Sequence, residues 1–173
     1  RQTAGNYRST VDWVRYNAAS RTNDFSVLDE LESHRHEDGL FTLKLFWPQR
    51  SGSNYQKWRQ QSNPVMAAGQ HSGVQGYVGI DTPFSDNGWG GLERGGGASL
   101  LDGTANHGNW YYAVGSTAAS GCGIPGASDC ETQVELWVLT EGEGPLHDPV
   151  PGWQTILKTN GDSTFAYAAS HWG

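Results

Sequence analysis

Glycine constrains this chain more than any other residue, with 24 copies among 173 residues. A residue that tolerates positive φ and weakens helix interiors favours tight turns and short strands over long helices. The runs between the glycine-rich joints read accordingly. LFTLKLFW ends at Pro48 and places Phe41, Leu43, Leu45 and Trp47 on one face of a strand. QVELWVLT alternates Val134, Leu136 and Val138 against Glu135 and Trp137. Further strands are expected at Tyr55–Arg59, Gly76–Ile80 and Asn109–Gly115. WQTILKT and STFAYAA flank Asn160–Gly161, a hairpin signal. Phe25, Leu28 and Leu31 recur at spacing three, and Ser26 followed by Asp29 resembles a capping box, so a short helix is expected over 25–33. The fold expected is an all-β sandwich of jelly-roll or Greek-key character with a short N-terminal helix. It is read as one domain over 1–173, with 1–33 wrapping onto the body and 141–173 forming a hairpin extension behind a linker-like stretch, EGEGPLHDPVPG.

The formal net charge is −7, and no basic cluster runs along the chain, so nucleic acid and anionic membrane surfaces are not expected partners. A neutral ligand or a metal cation suits the charge better. No apolar run is long enough to span a bilayer. The first residue is Arg1, which reads as a mature chain after removal of a targeting segment, although an expression product would look the same. The two cysteines, Cys122 and Cys130, bracket a Gly/Pro/Ser-rich stretch. They are too few for a zinc site. A disulfide closing this loop is the preferred reading, worth about 2.5 kcal/mol by loop entropy, and it fits a secreted protein. Free thiols or a bridge between two chains are the alternatives.

The chemistry concentrates between Gly79 and Gly115. Oxygen-bearing side chains are dense there: Asp81, Asp86, Asn87, Glu93, Asp102, Asn106 and Asn109. Glycines and the aromatics Trp89, Trp110, Tyr111 and Tyr112 are interleaved with them. Carboxylate, amide and carbonyl oxygens are the ligands calcium takes, six to eight at a time, but the EF-hand spacing is missing, so the expectation is a calcium site in loops. The metal set is Asp86, Asn87, Glu93, Asp102 and Asn106. The competing explanation is that Asp, Asn and Gly are ordinary turn formers. His107 lies between Asn106 and Gly108, three residues before Trp110. A lone loop histidine is commonly a satisfied surface residue. Beside oxygen ligands and an indole it also matches what a sugar needs: a hydrogen-bonding group, a cation for vicinal hydroxyls and a ring for the apolar face. The sugar set is His107, Trp110, Trp89 and Asn109. Asp81, Asp86 and Glu93 admit a glycosidase pair, but nothing in the sequence fixes their separation. No hydrolase elbow, zincin, phosphate-cradling or dinucleotide motif occurs, so the chain is read as a non-enzyme.

The runs SNYQKWRQQSNPV, NGWGGLE, SLLDGTANHGNWYYAVG and VELWV resemble a domain of extracellular proteins in cnidarians and other organisms. Length and composition are similar to those of the calcium-dependent, galactose-binding lectins of sea anemones. The resemblance covers roughly Phe41–Val138. It implies a sugar site built from calcium, a histidine and a tryptophan, at His107 and Trp110 with Glu93, Asp102 and Asn106 nearby. The function expected is a secreted, calcium-dependent lectin for galactose-terminated glycans or glycoproteins. It would act as a dimer if one sugar contact is too weak alone. The competing functions are an adhesive or matrix domain with structural calcium, and a glycoside hydrolase.

Overall fold

The computed structural model describes residues 1–19, 23–66, 73–84, 89–95, 98–104, 113–118, 124–125, 130–140 and 152–157. The chain is mostly β. In order it forms β1 (Gln2–Thr3), helix α1 (Thr10–Val14), β2 (Arg15–Tyr16), β3 (Ser26–Val27), a 3₁₀ helix (Leu28–His34), β4 (Phe41–Phe46), β5 (Tyr55–Gln60) and β6 (Val78–Asp81). It continues with β7 (Trp89–Arg94), β8 (Ser99–Thr104), β9 (Val114–Ser116), β10 (Ile124–Pro125), β11 (Cys130–Glu131), β12 (Gln133–Thr140) and β13 (Gly152–Leu157).

The larger sheet has six strands in the order β1-β12-β4-β5-β6, with β13 also on β12. Its ladders are antiparallel, and β4 meets β5 without interruption from Phe41↔Gln60 to Phe46↔Tyr55. β12 pairs with β4 through Glu135↔Phe46 to Val138↔Leu43. On its far side β12 carries two short partners end to end, β1 opposite Gln133 and Val134 and β13 opposite Leu136 to Thr140. A second sheet has the order β7-β8-β9, and two two-stranded ribbons, β2-β3 and β10-β11, complete the set. No closed barrel forms among the described residues.

The alternation in the sequence explains the core. Phe41, Leu43, Leu45 and Trp47 have no exposed surface, nor have Val134, Leu136 and Val138 from the adjoining strand. On β5 the inward positions are Gln56, Trp58 and Gln60, so two amides flank one indole. Trp58 meets Trp89 of the smaller sheet edge to face, 4.7 Å between ring centroids. Leu92, Leu100, Leu101 and Val114 join the same cluster. Burying side chains of this size contributes roughly 1.5–3 kcal/mol each before entropy is counted.

The helix expected over 25–33 forms differently. Ser26 sits in β3 and its hydroxyl donates to the Trp13 carbonyl at 2.5 Å, so it caps nothing. The turn that follows is a 3₁₀ helix over Leu28–His34 with no side-chain cap. Leu28 and Leu31 are still buried, because spacing three matches the 3₁₀ repeat. The α-helix lies earlier, at Thr10–Val14, where Ser9 accepts from the Asp12 amide at 3.2 Å. It buries Trp13, whose Nε1 donates to the Ser116 carbonyl on β9 at 3.1 Å. Gly115 has φ +71°, and a Cβ there would stand 3.0 Å from the Trp13 ring. Arg35 ties the 3₁₀ helix down: it forks onto Glu32 at 2.6 and 2.9 Å, donates to the Gly39 and Gln61 carbonyls and lies over the Phe41 ring.

Of the two strands expected to form a C-terminal hairpin, the first is described, and it pairs with β12. The Asn160–Gly161 turn and the segment after it lie outside the described residues. No helix among the described residues is long and apolar enough to cross a membrane.

Candidate functional site

The stretch expected to be a ligand-bearing loop contains a three-stranded sheet. Trp89, Glu93 and Asp102 are paired strand residues. Trp89 stands opposite Thr104, Glu93 opposite Asp102 and Arg94 opposite Leu101. Three residues, Gly90, Gly91 and Leu92, separate the first two pairs on β7, whereas Gly103 alone separates them on β8. β7 therefore carries two extra residues. Gly91 sits in that bulge at φ +99°, a conformation that suits glycine.

The bulge brings two of the five expected metal ligands together. Directly opposite residues of an antiparallel pair project to the same side with Cβ atoms about 5 Å apart. Glu93 is fully buried and Asp102 is 4 % exposed, so two carboxylates face each other out of bulk water. Like charges in that position repel, and a divalent cation is one group that offsets such repulsion. Their hard oxygens fit calcium chemically. No third His, Cys, Asp or Glu joins them in a metal-holding cluster among the described residues.

The rest of the expected set falls elsewhere. Asp86, Asn87, Asn106, His107, Asn109 and Trp110 lie outside the described residues, as do Tyr111, Tyr112, Cys122 and the side chain of Cys130. Connectivity still relates them to the ladder. Its Trp89–Thr104 end continues directly into 85–88 on one strand and 105–112 on the other. Trp89, expected to face a sugar, is 6 % exposed and packs edge-on against Trp58, so its ring belongs to the core. Asp81 ends β6, on the other sheet, and accepts a hydrogen bond from the Tyr55 hydroxyl.

One residue that shapes this region was not singled out from the sequence. Gln60, at the end of β5, has no exposed surface. Its Oε1 accepts from the Leu92 amide at 2.9 Å and its Nε2 donates to the Leu92 carbonyl at 3.0 Å. The same Oε1 accepts from Trp58 Nε1 at 2.8 Å, and Nε2 also donates to the Ser62 carbonyl at 2.7 Å. The signal was available: a glutamine at an inward position of an alternating strand needs buried partners.

No protein-family model, no curated protein and no solved structure matches this chain.

Proposed function

We propose that the protein is a secreted, non-catalytic, calcium-dependent lectin for galactose-terminated glycans. The observation that carries this reading is the buried Glu93–Asp102 pair on a ladder whose end runs into 85–88 and 105–112. In this reading the two carboxylates are the inner side of a calcium site, and Asp86, Asn87 and Asn106 add oxygens from the adjoining segments. Calcium when bound supplies a coordination point for vicinal hydroxyls. His107 and Asn109 then hydrogen-bond the sugar, and Trp110 covers the face formed by C3–H, C4–H and C5–H of galactose. Glucose, with its equatorial 4-hydroxyl, leaves such polar groups unpaired and is rejected. The two main sheets would be the layers of the expected jelly-roll or Greek-key sandwich, and dimerisation would supply avidity.

The test is calorimetric titration of lactose with and without calcium, on wild type, His107→Ala and Trp110→Phe. Calcium-dependent binding in wild type, with Trp110→Phe weakened by roughly 1–2 kcal/mol and His107→Ala by about 1 kcal/mol, supports the reading. Wild-type affinity in a folded His107→Ala protein overturns the sugar site.

A second reading has its own observation. Glu93 has no exposed surface, and calcium held that deep acts as a structural clamp in an adhesive or matrix domain. A chelator that lowers the melting temperature of a protein indifferent to galactose selects this reading.

A further inference from the structure

We propose that Gln60 is the positioning residue that sets the β7 bulge, and thereby places Glu93 opposite Asp102. Its functional consequence rests on the calcium reading above; the register claim does not.

Unaided, the ladder would run in a different register. Continuing the Trp89–Thr104 register straight along β7 puts Gly91 opposite Asp102. Asp102 would then face a hydrogen atom, and Glu93 would lie two residues, about 7 Å, further along the strand. Two extra residues in β7 replace that arrangement, and the β7 peptide groups that face away from β8 still need partners.

Gln60 supplies them from the other sheet. A primary amide offers the same donor and acceptor as a peptide group, and here it binds both the N–H and the C=O of Leu92, the residue just before Glu93. The amide is itself held in one orientation. Trp58 Nε1 donates to its oxygen and the Ser62 carbonyl accepts from its nitrogen, so a flipped amide would break all four contacts. Gly91 completes the fit: a Cβ there would lie 2.8 Å from Gln60 Oε1 and 2.9 Å from Val74 Cγ1. The bulge closes onto the glutamine where only glycine leaves room. Gln56, the other inward glutamine of β5, accepts from the Phe84 amide at 3.1 Å and makes no such clamp. It serves as the internal control.

The test uses the full chain, with NMR reading the register in calcium-free protein and calorimetry reading calcium affinity. Wild type should show cross-strand amide–amide NOEs between Glu93 and Asp102, which the Gly95 amide bond to the Leu100 carbonyl makes a hydrogen-bonded pair. In Gln60→Met those NOEs should vanish, with Gly91–Asp102 contacts in their place, and the calcium Kd should rise about 10–100-fold, as for loss of an outer-shell partner. Gln56→Met should leave both the register and the Kd within twofold of wild type, whatever it does to the melting temperature. Should Gln60→Met fail to fold, Gln60→Glu is the second variant. It keeps both acceptor contacts, loses both donor contacts and should shift the register in the same direction. A folded Gln60 variant that retains the Glu93–Asp102 NOEs overturns the proposal. A wild-type protein with the predicted register that binds no calcium overturns the calcium reading instead, and the NOEs still decide the role of Gln60.

Discussion

The β12-β4-β5 ladders and the β7-β8 ladder solve the same problem in opposite ways. In the first, the residues alternate, six consecutive pairs of β4 and β5 match without a shift, and the inner face is filled by Leu43, Leu45, Trp58 and Leu136. In the second, β7 gains two residues over its partner, and Gly91, Leu92 and Glu93 are buried in succession. β8 buries Leu100, Leu101 and Asp102 in the same manner. A strand of period two cannot bury three neighbours in a row unless it bends or is covered on both faces. The regular ladders bury neighbours in succession too, Phe41, Thr42 and Leu43 on β4 and Gln133, Val134, Glu135 and Leu136 on β12; what sets β7-β8 apart is its bulge and the two facing carboxylates that the bulge brings together.

The contrast also decides what could be read from the sequence. LFTLKLFW and QVELWVLT announce themselves, because alternation is a local property and the core side of each strand needs only apolar residues. β4 spans Phe41–Phe46 within the expected run, and β12 spans Gln133–Thr140 as expected. WGGLER and SLLDGT do not alternate, and their Gly, Asp and Glu content reads as loop; they are nonetheless β7 and β8. The residue that clamps β7 is distant in sequence: Leu92 is held by a residue 32 positions earlier. The proximity of Glu93 and Asp102 depends on a bulge whose size no spacing rule gives. The capping box at Ser26 misled for a related reason, since its hydroxyl found a tertiary partner in Trp13 instead of its own helix. Ser9 is followed three residues later by Asp12, a similar signature in a stretch read as mixed and polar, and it begins the α-helix that forms.

The largest expected effect tests the junction of the two sheets. Trp58→Ala removes a fully buried indole, its edge-to-face contact with Trp89 and its bond to Gln60. It should cost about 3–5 kcal/mol in urea unfolding, with an unchanged m-value if the two sheets unfold together. A loss under about 1 kcal/mol would mean that the site collapses around the void and the sheets are less dependent on each other than their shared core implies.

A smaller effect separates the ladders by charge. Asp102→Asn relieves the facing carboxylates without changing shape. Without calcium it should leave stability equal or raise it by up to about 1 kcal/mol. With millimolar calcium it should forfeit the wild-type gain, on the order of 1 kcal/mol for an extracellular site of about 10⁻⁴–10⁻³ M. Thermal melts in calcium and in chelator read both arms. Identical calcium-induced shifts in wild type and variant would remove Asp102 from the ligand set.

The smallest effect is a change of slope, and it concerns the one acid buried on the outward side of the regular sheet. Glu135 alternates with Val134 and Leu136 yet is only 5 % exposed. Burial pushes its carboxyl above the ordinary value of 4.5, against the opposing pull of the Arg1 α-ammonium, of hydrogen bonds from Trp137 and Gln133 and of the Arg1 guanidinium. Lys44 on the neighbouring strand is pushed the other way, chiefly by burial, although Glu135 favours its charged form. A raised folded-state value means that the protonated acid is the better-tolerated form. Its contribution is fully present below the ordinary carboxyl value and is lost as pH rises through the raised one. Glu135→Gln keeps an acceptor for Trp137 Nε1 or Gln133 Nε2 and cannot ionise. The variant and wild type should therefore be similar near pH 4, and the variant should gain on wild type as pH climbs toward 7, where the buried carboxylate is charged. Melting temperatures measured across that window give the difference curve. If the difference instead falls with rising pH, pairing of the carboxylate with Arg1 and Lys44 outweighs its burial. The outward face of β12 would then be an ion-pair surface, and the regular sheet would share the dependence on paired charge that otherwise sets the β7-β8 ladder apart.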